Sequence, residues 1–468
     1  MTNKELFEEL SFKSKNAYSV MTDEEVQQMK ELCDEYRQYL DAGKTERECI
    51  EISIKMAEAN GFVNIDDKKE LKCGDKVYIV NRGKAMMLAV IGRESMEGGL
   101  NIVGAHVDSP RIDLKQNPLY EADDMALLKT HYYGGIKKYQ WTVIPLAMHG
   151  VVCKKNGEKV NIKIGEDIND PVFCITDLLP HLAVKQMSKK MTEGIEGENL
   201  NVLVGGYPVK DDEIGEKVKF TVLKYLNDKY GMCEADFRTA EIEIVPAFKA
   251  RNVGFDESFV GAYGQDDRVC AYTTLKGIFD IDTPAKTAIA LLVDKEEIGS
   301  MGNTGMLSAF FKMTVAKMIE MEKGSCTIND LNRAITNSAC LSSDVNAAVD
   351  PTYEYVSEKK NASFCNYGVV FTKYTGSRGK GGSSDANAEF VSLISRIMDN
   401  DGIVWQTGEL GKVDEGGGGT IAQYVANLNM DVIDVGVPVL SMHAPFEVTA
   451  KADIYMAYRA YKAFYMNR

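Results

Sequence analysis

The apolar run "TAIALLVDKEEIGS" ends in three acidic residues, Asp294, Glu296 and Glu297. Adjacent carboxylates usually mark a solvated turn, so their company elsewhere in the chain decides how they are read. The chain has five histidines, and two of them also close apolar runs. "IVGAHVDSP" ends in His106 with Asp108 two residues on, and "VPVLSMHAPFE" ends in His443. "AYGQDDRVCAY" places Asp266 and Asp267 at the start of a helical pattern, and "ACLSSDVNAAVDP" places Asp344 after a short strand. Each aspartate alone reads as a helix cap. Together they make a set of two imidazoles and several carboxylates, which suits a pair of divalent metals. Zinc takes imidazole nitrogen and carboxylate oxygen, and two metals can share one carboxylate while clamping a hydrolytic transition state. One of Glu296 and Glu297 would then bind metal while the other serves as a base toward water. The metal charge removes the penalty for burying both. Asp108 fits as a partner for the far nitrogen of His106, fixing its tautomer.

The elements that must position these groups alternate along the chain. Thr22 with Glu25 opens a capped helix, "TDEEVQQMKELCDEYRQYL", with Val26, Met29, Leu32 and Tyr36 on one stripe. Thr45 with Glu48 repeats the device, and Gly61 is a stop. The strand-like runs "KVYIV", "MMLAVIG" and "LNIVGAHVD" follow. After Ala250 the strands "TAIALLV", "GIVWQ" and "DVIDVGVPVL" alternate with the helices "VCAYTTLKGIF", "SAFFKMTVAKMIEME", "NAEFVSLISRIM" and "TIAQYVANLN". This order implies an α/β fold with a largely parallel sheet covered on both faces, whose reactive crevice lies beyond the carboxyl ends of the strands. Between residues 111 and 246 the texture is instead β-rich, and "KFTVLKYLNDKYG" and "TAEIEIVPAF" continue its alternation. The expected organisation is therefore a discontinuous catalytic domain, 1–110 and 247–468, with a mostly β domain inserted at 111–246.

Bulk composition excludes several classes. The 468 residues carry a net charge of −15, with 45% hydrophobic and 26% charged residues. That balance argues against nucleic acid or an anionic membrane as a partner, since both demand a basic footprint. No run is apolar enough to span a bilayer, and the first residues lack a signal-peptide pattern. Ten cysteines without C-x-x-C spacing read as reduced thiols of a cytoplasmic protein. The Gly-rich stretches "GSRGKGGSSDANAEF" and "VDEGGGGTIAQY" lack P-loop or dinucleotide spacing and read as walls of a substrate cleft.

"GAHVDSPRIDLK", "GQDDRVCA", "DKEEIGS", "SSDVNAAVDP" and "SMHAPFE" occur in the order and approximate spacing of the aspartyl aminopeptidase and vacuolar aminopeptidase I family, which this sequence resembles over most of its length. The resemblance implies a zinc-exopeptidase-like α/β/α sandwich with an inserted, mostly β dimerisation domain. It also implies an aminopeptidase that removes N-terminal residues from peptides, using two divalent metal ions per subunit. These are expected to be zinc, with cobalt or manganese as substitutes. It makes His106 and Glu297 ligands of one metal, Asp344 and His443 ligands of the other, and Asp266 the bridge. Asp266 is preferred to Asp267 because relatives read Asp-Asn at this pair, and Asp267 is this chain's departure from that pattern. Glu296 becomes the general base acting on a water between the metals, and Asp108 supports His106. Lys380 would lie near bound substrate. His181 in "LLPHLAVKQ" would approach a neighbouring subunit's site, with Lys185 replacing a second histidine found in some relatives. The expected assembly is a homo-oligomer, a dodecamer built from dimers. The alternatives are a metal-independent glycosidase with two carboxylates, which leaves both histidines unexplained, and a non-catalytic scaffold.

Overall fold

A computed structural model of the chain describes residues 1–467. The N-terminal helices form as their caps dictate. Glu25 N donates to Thr22 Oγ1 at 3.2 Å while Thr22 N donates to Glu25 Oε2 at 2.8 Å, opening helix Asp23–Ala42. Met29, Leu32 and Tyr36 on its stripe are buried. Helix Glu46–Ala59 has only half of the expected device. Glu48 N donates to Thr45 Oγ1, but the Glu48 carboxylate turns away to His149 and Lys163.

The central sheet has nine strands, in the order Val63–Asn64, Lys76–Asn81, Ala85–Val90, Thr287–Val293, Leu100–His106, Ala339–Ser342, Asp431–Gly436, Val369–Thr372 and Trp405–Thr407. Five of its eight neighbouring pairs are parallel. The antiparallel pair Lys76–Asn81 and Ala85–Val90 is joined by three residues, too short for a parallel crossover. Both faces are covered. Met86, Leu88 and Val90 point to a core shared with helices Gln265–Phe279, Ala388–Asn400 and Lys451–Met466, while Met87 and Ala89 point to one shared with Phe310–Lys323 and Ile328–Thr336. The result is an α/β/α sandwich.

A second sheet of seven strands is antiparallel throughout, and all its strands lie between Arg111 and Pro246. One stretch expected to extend this β texture does not. "KFTVLKYLNDKYG" belongs to a helix, Lys217–Tyr230, capped by Gly231 in the left-handed region (φ 63°). Val218, Val222 and Leu226 recur every four residues and pack on the core under the sheet, so the helical stripe overrides the local alternation.

A third sheet of five short strands joins Arg251–Val253, Phe259–Ala262, Glu447–Ala450, Pro438–Leu440 and Asn346–Ala347. "DVIDVGVPVL", read as one strand, is split between the first and third sheets. Gly436 ends the first half against the Asp344 carbonyl, where a Cβ would lie 1.6 Å from the oxygen, and Pro438 starts the second half, a position that tolerates the missing N–H. "TIAQYVANLN" and "GIVWQ" shrink to Ala422–Ala426 and Trp405–Thr407. No helix among the described residues is long and apolar enough to cross a membrane.

A buried ionic joint ties the N-terminal helices to the seven-stranded sheet. His149 Nδ1 lies 2.9 Å from Glu48 Oε1 and its Nε2 lies 3.1 Å from Glu166 Oε1. Glu48 also receives Lys163 Nζ, and Glu166 receives Lys44 Nζ and Lys249 Nζ. Burial pulls the His149 pKa down, but Glu166 and Glu48 outweigh it and the net shift is upward. A raised folded pKa contributes stability that is complete below the ordinary value of about 6.5 and is lost as pH rises through the raised one. Thermal stability should therefore decline as pH is raised above about 6.5, and His149→Gln should flatten that slope in scanning calorimetry. An unchanged slope in the variant would assign the pH dependence elsewhere.

Candidate metal centre

Strand register builds the centre. Thr287–Val293 and Ala339–Ser342 flank Leu100–His106 in parallel, with Val293 opposite His106 and Ser342 opposite Gly104. The three chains therefore leave the sheet together, carrying His106 and Asp108, then Asp294 to Glu297, then Asp344. Helix Gln265–Phe279 presents Asp266 and Asp267 from its first residues, both outside helical conformation. His443 arrives from the loop after Pro438–Leu440.

The Asp266 carboxylate lies between the two imidazoles. Its Oδ1 is 3.2 Å from His106 Nε2 and its Oδ2 is 3.1 Å from His443 Nε2. His106 Nε2 is 3.9 Å from both Asp344 Oδ1 and Glu296 Oε2. His443 Nε2 is 3.6 Å from Glu297 Oε1. Ligand atoms of three residues converge in three groups: His106, Glu296 and Glu297; His106, Asp267 and Asp344; and Asp266, Glu297 and His443. All five expected ligands are thus together, and His106 and Glu297 share one group as the resemblance implies, but Asp344 and His443 share none. Asp344 groups with His106 rather than with His443, whose own carboxylate neighbours are Asp266 and Glu297. Motif order along a chain does not say which strands flank one another, and Ala339–Ser342 lies directly beside Leu100–His106. Asp267 reaches only the His106 side, where its Oδ2 accepts the His106 N–H at 3.3 Å.

The electrostatics call for a cation. Burial lifts Glu296 to about 7 and pushes Glu297 and Asp344 well above the usual carboxylate range. Burial also works against Asp266, but the flanking imidazoles hold it low. In return, burial notwithstanding, hydrogen bonding to Asp266 helps raise His443 to about 10. Asp266 Oδ1 and Asp267 Oδ1 are buried without a hydrogen-bond donor. Carboxylates crowded together with too few donors carry a charge that bound divalent ions would neutralise, so the residues fit such ions.

Asp108 does more than the sequence suggested. Its Oδ1 lies 3.3 Å from His106 Nδ1, which also contacts the Asp108 backbone carbonyl at 3.0 Å. The same carboxylate accepts the backbone N–H groups of Glu296 at 3.1 Å and Glu297 at 3.2 Å. Glu447 went unread although it closes the motif that contains His443. Its oxygens accept the backbone N–H of Asp266 at 3.0 Å and of His443 at 2.7 Å, clamping two donors at once. The backbone carbonyl of Gly135 lies 2.8 Å from His443 Nδ1 and, as an acceptor, leaves the proton there and the lone pair on Nε2.

A cleft of about 380 Å³ opens over the centre, lined by Glu296, Glu297 and His443 and walled by Thr372, Gly417 to Gly419 and Tyr424. One Gly-rich stretch is therefore a cleft wall. Lys380 is not part of that lining; its Nζ lies 3.1 Å from Asp385 Oδ2 and 3.8 Å from the centre of the Tyr374 ring. His181 is exposed in the seven-stranded-sheet segment and joins none of the three ligand groups.

Residues 39–465 match the profile of the aminopeptidase I zinc metalloprotease family, M18. A probable M18 family aminopeptidase 1 of Clostridium acetobutylicum is 52% identical over 457 residues, covering 97% of this chain and 98% of that protein. The crystal structure of an M18 aminopeptidase from Thermotoga maritima superposes with a TM-score of 0.94 at 43% identity, covering 98% of this chain and all of that one. The Saccharomyces cerevisiae mApe1 dodecamer shares the fold at 19% identity, with a TM-score of 0.75 over 92% of this chain and 95% of that one. Neither the glycosidase nor the scaffold alternative is favoured by these matches. Similarity over nearly the whole length, on a fold that gathers two histidines and a ring of carboxylates at one sheet edge, places the chain in the M18 family of zinc metalloproteases, as an aminopeptidase.

Proposed function

We propose that the centre holds two divalent ions, zinc by preference, and that the enzyme uses them to remove N-terminal residues from peptides. His106 and Asp344 would hold one ion, His443 and Glu297 the other, and Asp266 both. The observation that carries this reading is the Asp266 carboxylate, with one oxygen 3.2 Å from His106 Nε2 and the other 3.1 Å from His443 Nε2. When bound, such ions polarise a carbonyl and acidify water. Glu296 is the carboxylate left over, and it lines the cleft. It would take the proton of the attacking water and return it to the departing amine. Asp108 holds the Glu296 and Glu297 backbone in place while that proton moves. Chelation should abolish hydrolysis of aminoacyl amides and zinc should restore it, with two zinc per chain by elemental analysis. Activity indifferent to chelation would sink the proposal.

The segment 111–246 is proposed as an inserted domain through which subunits pair. Leu182, Val184, Met187 and Met191 are exposed along it, an apolar stretch that a second copy would cover. His181 lies in the same stretch, on the surface that would meet a neighbour's site. A dodecamer is the proposed assembly, as in the yeast relative, and its mass would be read by light scattering. A cytoplasmic location accords with ten cysteines, none of them paired.

A further inference from the structure

Three consecutive residues of the seven-stranded-sheet segment touch the centre from outside the ligand set. Tyr133 ends strand Met125–Tyr133, and its hydroxyl donates to Asp108 Oδ2 at 2.8 Å. Gly134, at φ 72°, packs against Glu297, where an added Cβ would meet Oε2 at 3.2 Å and the glutamate Cβ at 3.3 Å. The Gly135 carbonyl receives His443 Nδ1. The turn therefore contacts both sides of the centre, one through Asp108 and the other directly.

The Tyr133 ring is itself held. The Arg111 guanidinium lies 3.9 Å from its ring centre, and Arg111 is directly opposite Tyr133 in the strand pairing. Arg111 is fixed in turn by Asp113 at 2.8 Å, Glu243 at 3.2 Å and Glu46 at 3.6 Å, the last from a helix of the sandwich. A buried guanidinium with three carboxylates around it has few places to go, so the ring it covers is a rigid support.

We propose that the Tyr133–Gly135 turn is a positioning element of the metal centre, with Tyr133 acting through Asp108. This rests on the reading of Asp108 and its neighbours as a metal site. Asp108 must point one carboxylate at two backbone N–H groups and at His106 together, and the phenol O–H fixes its rotation. Without that donor the carboxylate is free to turn, and the backbone of Glu296 and Glu297 loses its anchor. Outer partners of this kind are worth about 10–100-fold in metal affinity or activity.

The test is Tyr133→Phe, which keeps the ring under Arg111 and removes only the hydroxyl. Zinc-stripped protein would be titrated with zinc against a chromophoric chelator, and kcat and KM measured separately on the loaded enzyme. The expected result is zinc affinity and kcat each lower by about tenfold or more, KM unchanged, and an unshifted melting temperature for the zinc-free protein. In an Asp108→Asn background Tyr133→Phe should have no further effect. Wild-type values for zinc affinity and kcat in Tyr133→Phe would overturn the proposal, and so would effects that add fully to those of Asp108→Asn. A zinc-free protein that melts lower, with zinc affinity unchanged, would assign Tyr133 to folding and overturn it too. Wild type that binds one zinc instead of two would fail the two-ion reading alone, since the affinity for the remaining ion still decides the role of Tyr133.

Discussion

Glu296→Gln lowers kcat by about 10²–10⁴-fold while two zinc ions per chain remain bound and KM stays near its wild-type value. The expectation follows from where the side chain stands. Asp266, Glu297, Asp344 and Glu296 all lie within 3.9 Å of an imidazole, and Glu296 is the most exposed of the four side chains, at 15% against 10% or less for the others, which leaves it the one open to water. Gln keeps the shape and the loop hydrogen bonds, because those run through the backbone N–H to Asp108. Only the capacity to accept a proton is lost. Loss confined to kcat with zinc retained is the signature of a group used in the chemical step. If zinc were lost with activity, Glu296 would instead be a ligand, an outcome the His106, Glu296 and Glu297 grouping makes worth measuring.

Asp266→Ala should be more damaging, because it removes the one carboxylate placed between both imidazoles. Zinc stoichiometry should fall below one per chain at concentrations that saturate wild type. Hydrolysis should drop by more than about 10³-fold, since bound divalent ions would supply several kcal/mol at the transition state and each 1.36 kcal/mol is tenfold. Asp267→Ala serves as the comparison. Asp267 contacts only the His106 side, through the backbone N–H of His106, and its loss should weaken one ion and spare the other. Equal loss of both ions in the two variants would contradict the bridging role of Asp266.

Much of this was legible in the sequence because it is encoded within a few residues. The Thr22 capping box, the buried stripe of Met29, Leu32 and Tyr36, and the apolar runs that end at His106 and Val293 all depend on neighbours close in the chain. The same holds for the list of donors, since acidic and imidazole groups at strand ends are visible as residue types. Lys217–Tyr230 shows the limit. Its alternation and its four-residue stripe coexist in one stretch, and only the core beneath the sheet selects the helix.

The tertiary structure alone decided how the donors meet. Pairing of His106 with Asp344 follows from which strands lie side by side, and parallel pairing joins segments more than two hundred residues apart. Glu447 clamps Asp266 across 181 positions, and Gly135 holds His443 across 308. Such contacts leave no periodicity or local capping pattern, because a hydrogen bond between distant segments constrains each partner only to be polar and present. Chemistry at a strand end can be read from residue types and spacing, whereas geometry between strand ends exists only once the sheet has set their order.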